Sequence, residues 1–173
     1  MIHSDHWAWR MSPGQYATPD NLDLAKAKQF LAQNHVKYVL AQFVDIYGVA
    51  KSKSVPVDHL EDVLTDGVGF AGGGVFGLRL APHEAEYMLV GDLSTLKLLP
   101  WAPGYARVMG TGTVSDKSHP IDTRNILVTQ TERLAARGWT LNTGIEPEFS
   151  LLQRTPDGSV APFDDTDCLQ KPA

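Results

Sequence analysis

At 173 residues the chain is long enough for one sizeable domain, or for a small domain with part of another. A hydrophobic content of 43% and a charged content of 20% describe a globular protein, and the net charge of -5 argues against a nucleic-acid surface, which needs basic patches. No apolar run approaches the ~20 residues of a membrane helix, the first residues lack the basic and apolar regions of a secretory signal, and Cys168 stands alone, so the cytoplasm is expected.

Residues 1–17 are polar and aromatic without periodicity, and an N-terminal arm is expected there. Thr18 and Pro19 can open a helix as cap and first residue, with Leu24, Ala27, Phe30 and Leu31 at helical spacing and Asn34 as the stop. Residues 36–44 are rich in strand formers, and Asp45-Ile-Tyr-Gly48 reads as a turn with Gly48 at positive φ. Residues 49–57 return as a second strand, giving a hairpin whose Lys51 and Lys53 share a solvated or interface face. Asp58 and Glu61 have capping-box spacing before a short helix that carries Leu60, Val63 and Leu64 and ends at Gly67.

A glycine-rich loop follows, then strands over 87–90, 95–99 and 105–109, with Val114 extending the last. Pro120 and Asp122 open a second long helix with Ile126, Leu127, Gln130, Leu134 and Arg137 along one side. Arg133 and Arg137 suit its negative end, and Gly138 stops it. Residues 139–152 are expected to form a closing strand. Residues 156–173 complete no element after it, so a fragment is expected. The fold class is α+β. The division is an arm at 1–17, a small domain with a leading helix at 18–117, and the start of a second, incomplete domain at 118–173.

Residues 144–152, Gly-Ile-Glu-Pro-Glu-Phe-Ser-Leu-Leu, hold the strongest chemical signal. In a strand Glu146, Glu148 and Ser150 share one face, and Ile145, Pro147, Phe149 and Leu151 share the other. Pro147 cannot donate to a ladder, which favours an edge, a strand start or a bulge. Adjacent carboxylates repel unless a cation or several donors compensate them, and Mg²⁺ binds one or two carboxylates with waters and substrate phosphates. Spacing alone also describes an amphipathic strand with a solvated acidic face.

Other patterns carry less. Gly67, Gly69 and Gly72 fit G-x-G-x-x-G, but a helix precedes them where dinucleotide binding needs a strand before and a helix after. His3 and His6 lie in the terminal arm, while His35, His59, His83 and His119 show no ligand spacing. Asp164, Asp165 and Asp167 lack the glycine and distal glutamate of a calcium loop and read as a turn; Cys168 has no visible activating partner.

The Gly-x-Glu-x-Glu-Phe stretch resembles the strand that opens the catalytic domain of the glutamine synthetase family. Residues 36–56 are similar to that family's first hairpin, with its Asp-x-x-Gly turn at Asp45 and Gly48. Residues 70–74 and 86–95 are similar to its glycine loop and following strand. Pro100-Trp101 and Asp122-Thr123-Arg124 match the end of its first domain and the start of its linking helix. The resemblance runs in order through nearly all of 22–155.

It implies a small β-grasp-like N-terminal domain, a linking helix and the first strand of a truncated catalytic domain. It also implies an ATP-dependent ligase joining the glutamate γ-carboxylate to ammonia or a small amine through a γ-glutamyl phosphate. Glu146 and Glu148 would each ligate one of the divalent ions, Mg²⁺ or Mn²⁺, that flank the ATP phosphates. The other active-site residues would lie outside the chain, and homo-oligomeric rings would form in which one subunit's N-terminal domain closes its neighbour's site. Where the family carries an aspartate that binds and deprotonates ammonium, this sequence has Ala71. Alanine can neither hold a cation nor accept a proton, so methylamine becomes a candidate nucleophile. The sequence looks nearest to the subgroup of rhizobial type III glutamine synthetases and γ-glutamylmethylamide synthetase. The isolated 173 residues are expected to be inactive. A non-catalytic interaction or regulatory domain is the alternative.

Overall fold

The computed structural model describes residues 18–75 and 77–163. The arm at 1–17 with His3 and His6, and the acidic turn with Asp164, Asp165, Asp167 and Cys168, lie outside the described residues. Contacts divide the chain into a first unit ending at Trp139 and a second beginning at Thr140.

In the first unit, helix α1 (Leu24–Gln33) is capped by Asp23, whose carboxylate accepts from the backbone N–H of Lys26 at 2.8 Å. The expected cap at Thr18 is not used, because that hydroxyl donates instead to the carbonyl of Leu96. Ala27 and Leu31 are buried, and Asn34 closes the helix by donating its side-chain amide to the Phe30 carbonyl. Strands β1 (Tyr38–Val44) and β2 (Ala50–Pro56) form the expected antiparallel hairpin. Its turn is organised by Asp45, whose buried carboxylate accepts from the N–H groups of Tyr47 and Val49, both at 2.9 Å, with Gly48 at φ +79°.

A three-residue 3₁₀ turn, Val57–His59, leads into helix α2 (Leu60–Thr65). The capping box at Asp58 and Glu61 does not form. The N–H of Leu60 bonds back to the Val57 carbonyl, tightening this turn into 3₁₀ geometry, and His59 pairs with Asp62 at 2.7 Å. Strand β3 (Val68–Phe70) occupies the start of what the sequence reads as glycine loop, pairing with β4 (Tyr87–Gly91). The expected strand at 95–99 shrinks to β5 (Lys97–Leu98), because Asp92 caps a 3₁₀ turn over Leu93–Thr95. Strand β6 (Tyr105–Val114) reaches Val114 as expected, and β7 (Lys117–Ser118) folds back on its end.

The sheet path runs β2-β1-β6-β4-β3, with β1 and β6 parallel at its centre and the other pairs antiparallel. Alternation sends Val39, Ala41 and Phe43 of β1, and Ala106 and Val108 of β6, to one buried face. Helices α1 and α2 cover part of that face through Ala27, Leu31 and Leu60. The sheet curls strongly. Phe43 of β1 meets Phe70 of β3 edge-on at 5.1 Å between ring centroids, although β6 and β4 lie between those strands in the path.

Helix α3 (Thr123–Ala135) ends as the sequence predicts: Gly138 donates to the Ala135 carbonyl and Trp139 to that of Leu134. The second unit contains the hairpin of β8 (Leu152–Arg154) and β9 (Val160–Pro162). Residues 139–151 are not a strand, which corrects the expectation for 139–152. A strand is defined by ladder partners, no described strand offers one here, and Pro147 has no N–H to give. Among the described residues no helix is long and apolar enough to cross a membrane.

Candidate functional site

Three places bear on the candidate site. The first is the root of α3, where Asp122, Thr123 and Asn125 bind the sheet and Arg124 binds Asp92 just beyond β4. Asp122 is buried; it accepts from the N–H of Asn125 at 2.6 Å as helix cap, from the N–H of Gly112 at 3.2 Å, and from the Tyr87 hydroxyl. Thr123 donates to the Val44 carbonyl at 2.7 Å, Arg124 pairs with Asp92 at 2.6 Å, and the Asn125 amide donates to the Gly112 carbonyl at 2.9 Å. Burial, and then the neighbouring Asp122 carboxylate, push the Tyr87 phenol far above its usual pKa, so it stays a donor. Burial works against the Asp92 carboxylate, but donors from Ser94 and the Arg124 guanidinium outweigh it and hold the pKa below the usual range. The sequence marks Asp122 as a helix opener, but nothing in it signals the pairing with Tyr87, 35 residues away.

Gly112 makes that pairing possible. A Cβ there would stand 1.8 Å from the Tyr87 ring, so only hydrogen fits where the ring crosses β6. The arrangement fixes a joint and contains no reacting constellation.

The second place is the glycine loop. Phe70 is buried at the end of β3, Ala71 is exposed, and Gly72–Gly74 form a 3₁₀ turn. Because a turn and not a helix follows β3, among the described residues no helix N-terminus stands behind the glycines to receive a pyrophosphate. Lys53 reaches this loop. Its ammonium donates to the Gly69 carbonyl and lies 5.3 Å from the Phe70 ring centroid. Sequence reasoning places Lys53 with Lys51 on a solvated or interface face. Only the curl of the sheet shows its partner.

The third place is the segment with Glu146 and Glu148. Both are exposed, and Glu148 lines an open concavity of about 560 Å³ with Pro147, Phe149 and Ser150. Without a strand here, the alternation that would align the two carboxylates has no ladder to enforce it. Two hard oxygen donors suit Mg²⁺ or Mn²⁺, but they make an incomplete set. Among the described residues no group of three or more His, Cys, Asp or Glu side chains is placed to hold a metal.

Comparison with known proteins adds what the geometry lacks. The chain is 54% identical over 149 residues to a glutamate–methylamine ligase of Methyloversatilis universalis, covering 86% of this chain and 34% of that relative. It is 33% identical over 151 residues to a glutamine synthetase of Rhizobium leguminosarum, covering 87% of this chain and 33% of the relative. A solved structure titled GmaS/ADP complex aligns with TM-score 0.60 at 25% identity, over 64% of this chain and 25% of that one. A ligand-free GmaS structure aligns equally well, with TM-score 0.60 at 26% identity, over 66% and 26%. The chain thus spans about one third of the length of the curated relatives it matches. No family model matches it.

Proposed function

From the premise that this chain belongs to the glutamine synthetase family, we propose that the whole protein is an ATP-dependent ligase that joins the γ-carboxylate of glutamate to methylamine. The observation that carries the choice of amine is the identity of 54% to a glutamate–methylamine ligase, against 31–35% to the glutamine synthetases. Ala71 supports it from the residue level. An alanine in the glycine loop neither fixes an ammonium ion nor takes its proton, and its methyl leaves an apolar wall against which a methyl group can rest.

In this reading the γ-carboxylate is first phosphorylated by ATP, and the amine then displaces phosphate from the acyl phosphate. Glu146 and Glu148 each hold one divalent ion, Mg²⁺ or Mn²⁺, which when bound neutralises phosphate charge. Their carboxylates need further ligands from residues beyond this chain, so the 173 residues alone are inactive. Residues 18–117 form the N-terminal domain and 118–173 begin the catalytic domain. The whole protein assembles as a homo-oligomeric ring in the cytoplasm, with the exposed Ala71 loop available to a neighbouring subunit.

The test is ADP release by the whole protein with glutamate and either amine. The expected result is a kcat/KM for methylamine at least ~10-fold above that for ammonia, with Ala71→Asp narrowing the gap. A preference for ammonia would overturn the choice of amine, and no glutamate-dependent ADP release with either amine would overturn the ligase itself. The isolated 173-residue chain should release no glutamate-dependent ADP.

A further inference from the structure

Strands β2 and β3 are the two ends of the sheet path, yet Lys53 on β2 donates to the carbonyl of Gly69 on β3. The curl that sets Phe43 against Phe70 brings these edges within side-chain reach. An edge strand is open on one side to groups other than a ladder strand, and on β3 the Lys53 ammonium approaches and bonds the Gly69 carbonyl. The same ammonium lies over Phe70, whose ring also meets Tyr87 at 6.5 Å between centroids. Lys51, on the same strand, has a different task and pairs with the buried Asp45 at 3.5 Å. Gly69 and Phe70 are the two residues immediately before Ala71 and the Gly72–Gly74 turn.

We propose that Lys53 is a positioning residue for the amine pocket, clasping the two edges of the curled sheet and thereby fixing the loop that carries Ala71. The clasp stands on the geometry alone; its effect on the amine rests on the ligase function proposed above. Lys53 touches no reacting atom. It acts through the path of the Gly69–Gly74 backbone, where three successive glycines offer little resistance to displacement once the anchor is gone.

The experiment compares the wild-type whole protein with Lys53→Met, which keeps the stem without the donor, and Lys53→Arg, which keeps charge and donors. Amide hydrogen exchange is read in residues 69–75 and in β4, and KM is measured for methylamine, glutamate and ATP. Lys53→Met should speed exchange in 69–75 about fivefold, the size of one lost exposed hydrogen bond, and leave β4 unchanged. The methylamine KM should rise by about the same factor, with kcat and the other two KM values within about twofold. Lys53→Arg should restore both readouts.

Unchanged exchange in 69–75 overturns the clasp. A parallel rise in all three KM values, or a methylamine KM that does not move, overturns its role at the amine pocket, as does an arginine variant that behaves like methionine. If the wild type turns over no amine, the ligase proposal has failed, and the exchange result still decides the clasp.

Discussion

In residues 18–139, Tyr87 and Leu89 are wholly buried, and among the described residues no buried side-chain nitrogen or oxygen lacks a hydrogen-bond partner. In residues 140–163, by contrast, Ile145 is 89% exposed and Phe149 78% exposed, and the backbone around them forms no ladder. The β8–β9 hairpin of that second unit holds itself by local means. Donors from Thr155 and Ser159 converge on Asp157 in its turn and hold that carboxylate at a pKa of about 2. The first unit owes its form to contacts far apart in sequence, the second to contacts within about a dozen residues. The carboxylates proposed to hold metal, Glu146 and Glu148, sit in the second, where the described chain supplies least.

That contrast can be sharpened by mutation. The largest effect is expected at the carboxylates: if they are the metal ligands proposed above, Glu146→Gln or Glu148→Gln in the whole protein should lower turnover more than about a hundredfold. Thermal unfolding of the 173-residue chain should not shift, because both side chains are solvated. A large stability loss would break the comparison by showing that the second unit carries part of the fold.

The reverse behaviour is expected at Gly112. Gly112→Ala puts a methyl into the Tyr87 ring and should destabilise the first unit by about 3 kcal/mol, read by urea unfolding. Asp122→Ala removes the cap of α3 and the acceptor of Tyr87, and should destabilise by about 2 kcal/mol in the same assay. Tyr87→Phe removes one bond and leaves Asp122 its two backbone donors, so about 1 kcal/mol is expected.

The smallest effect concerns acid. The Val49 N–H first, then the Tyr47 N–H and the Lys51 ammonium, hold the Asp45 carboxylate below its ordinary value of 3.8 against the opposing effect of burial. A depressed folded-state pKa contributes stability that is complete above the unfolded value and is lost as pH falls through the folded one. Melting temperature should therefore fall below about pH 4, and Asp45→Asn should flatten that part of the profile. An unchanged profile would remove Asp45 from the acid response.

Much of the first unit is legible in sequence because its signals are local. The Asp45-to-Gly48 turn, the stop at Gly138 and the alternation of β1 each depend on a few neighbours. Errors arise where a distant partner decides. Thr18 looks like a cap, but its hydroxyl is taken by Leu96, 78 residues on, and Asp23 caps instead. Strand β3 hides among glycines because its identity comes from pairing with β4, not from propensity. At the candidate site the sequence gives residue types, Glu146, Glu148 and Ala71, but not their convergence. The carboxylate segment shows why: alternation predicts a strand, and a strand still needs something to pair with.

The joint at the root of α3 also limits how the sequence can vary in length. Asp122, Thr123, Arg124 and Asn125 between them bind four fixed points, Tyr87, Val44, Asp92 and Gly112. Adding or removing one residue there would turn the helix by about 100° and put all four out of register together. The spacing between β7 and α3 is thus indexed like a gear tooth.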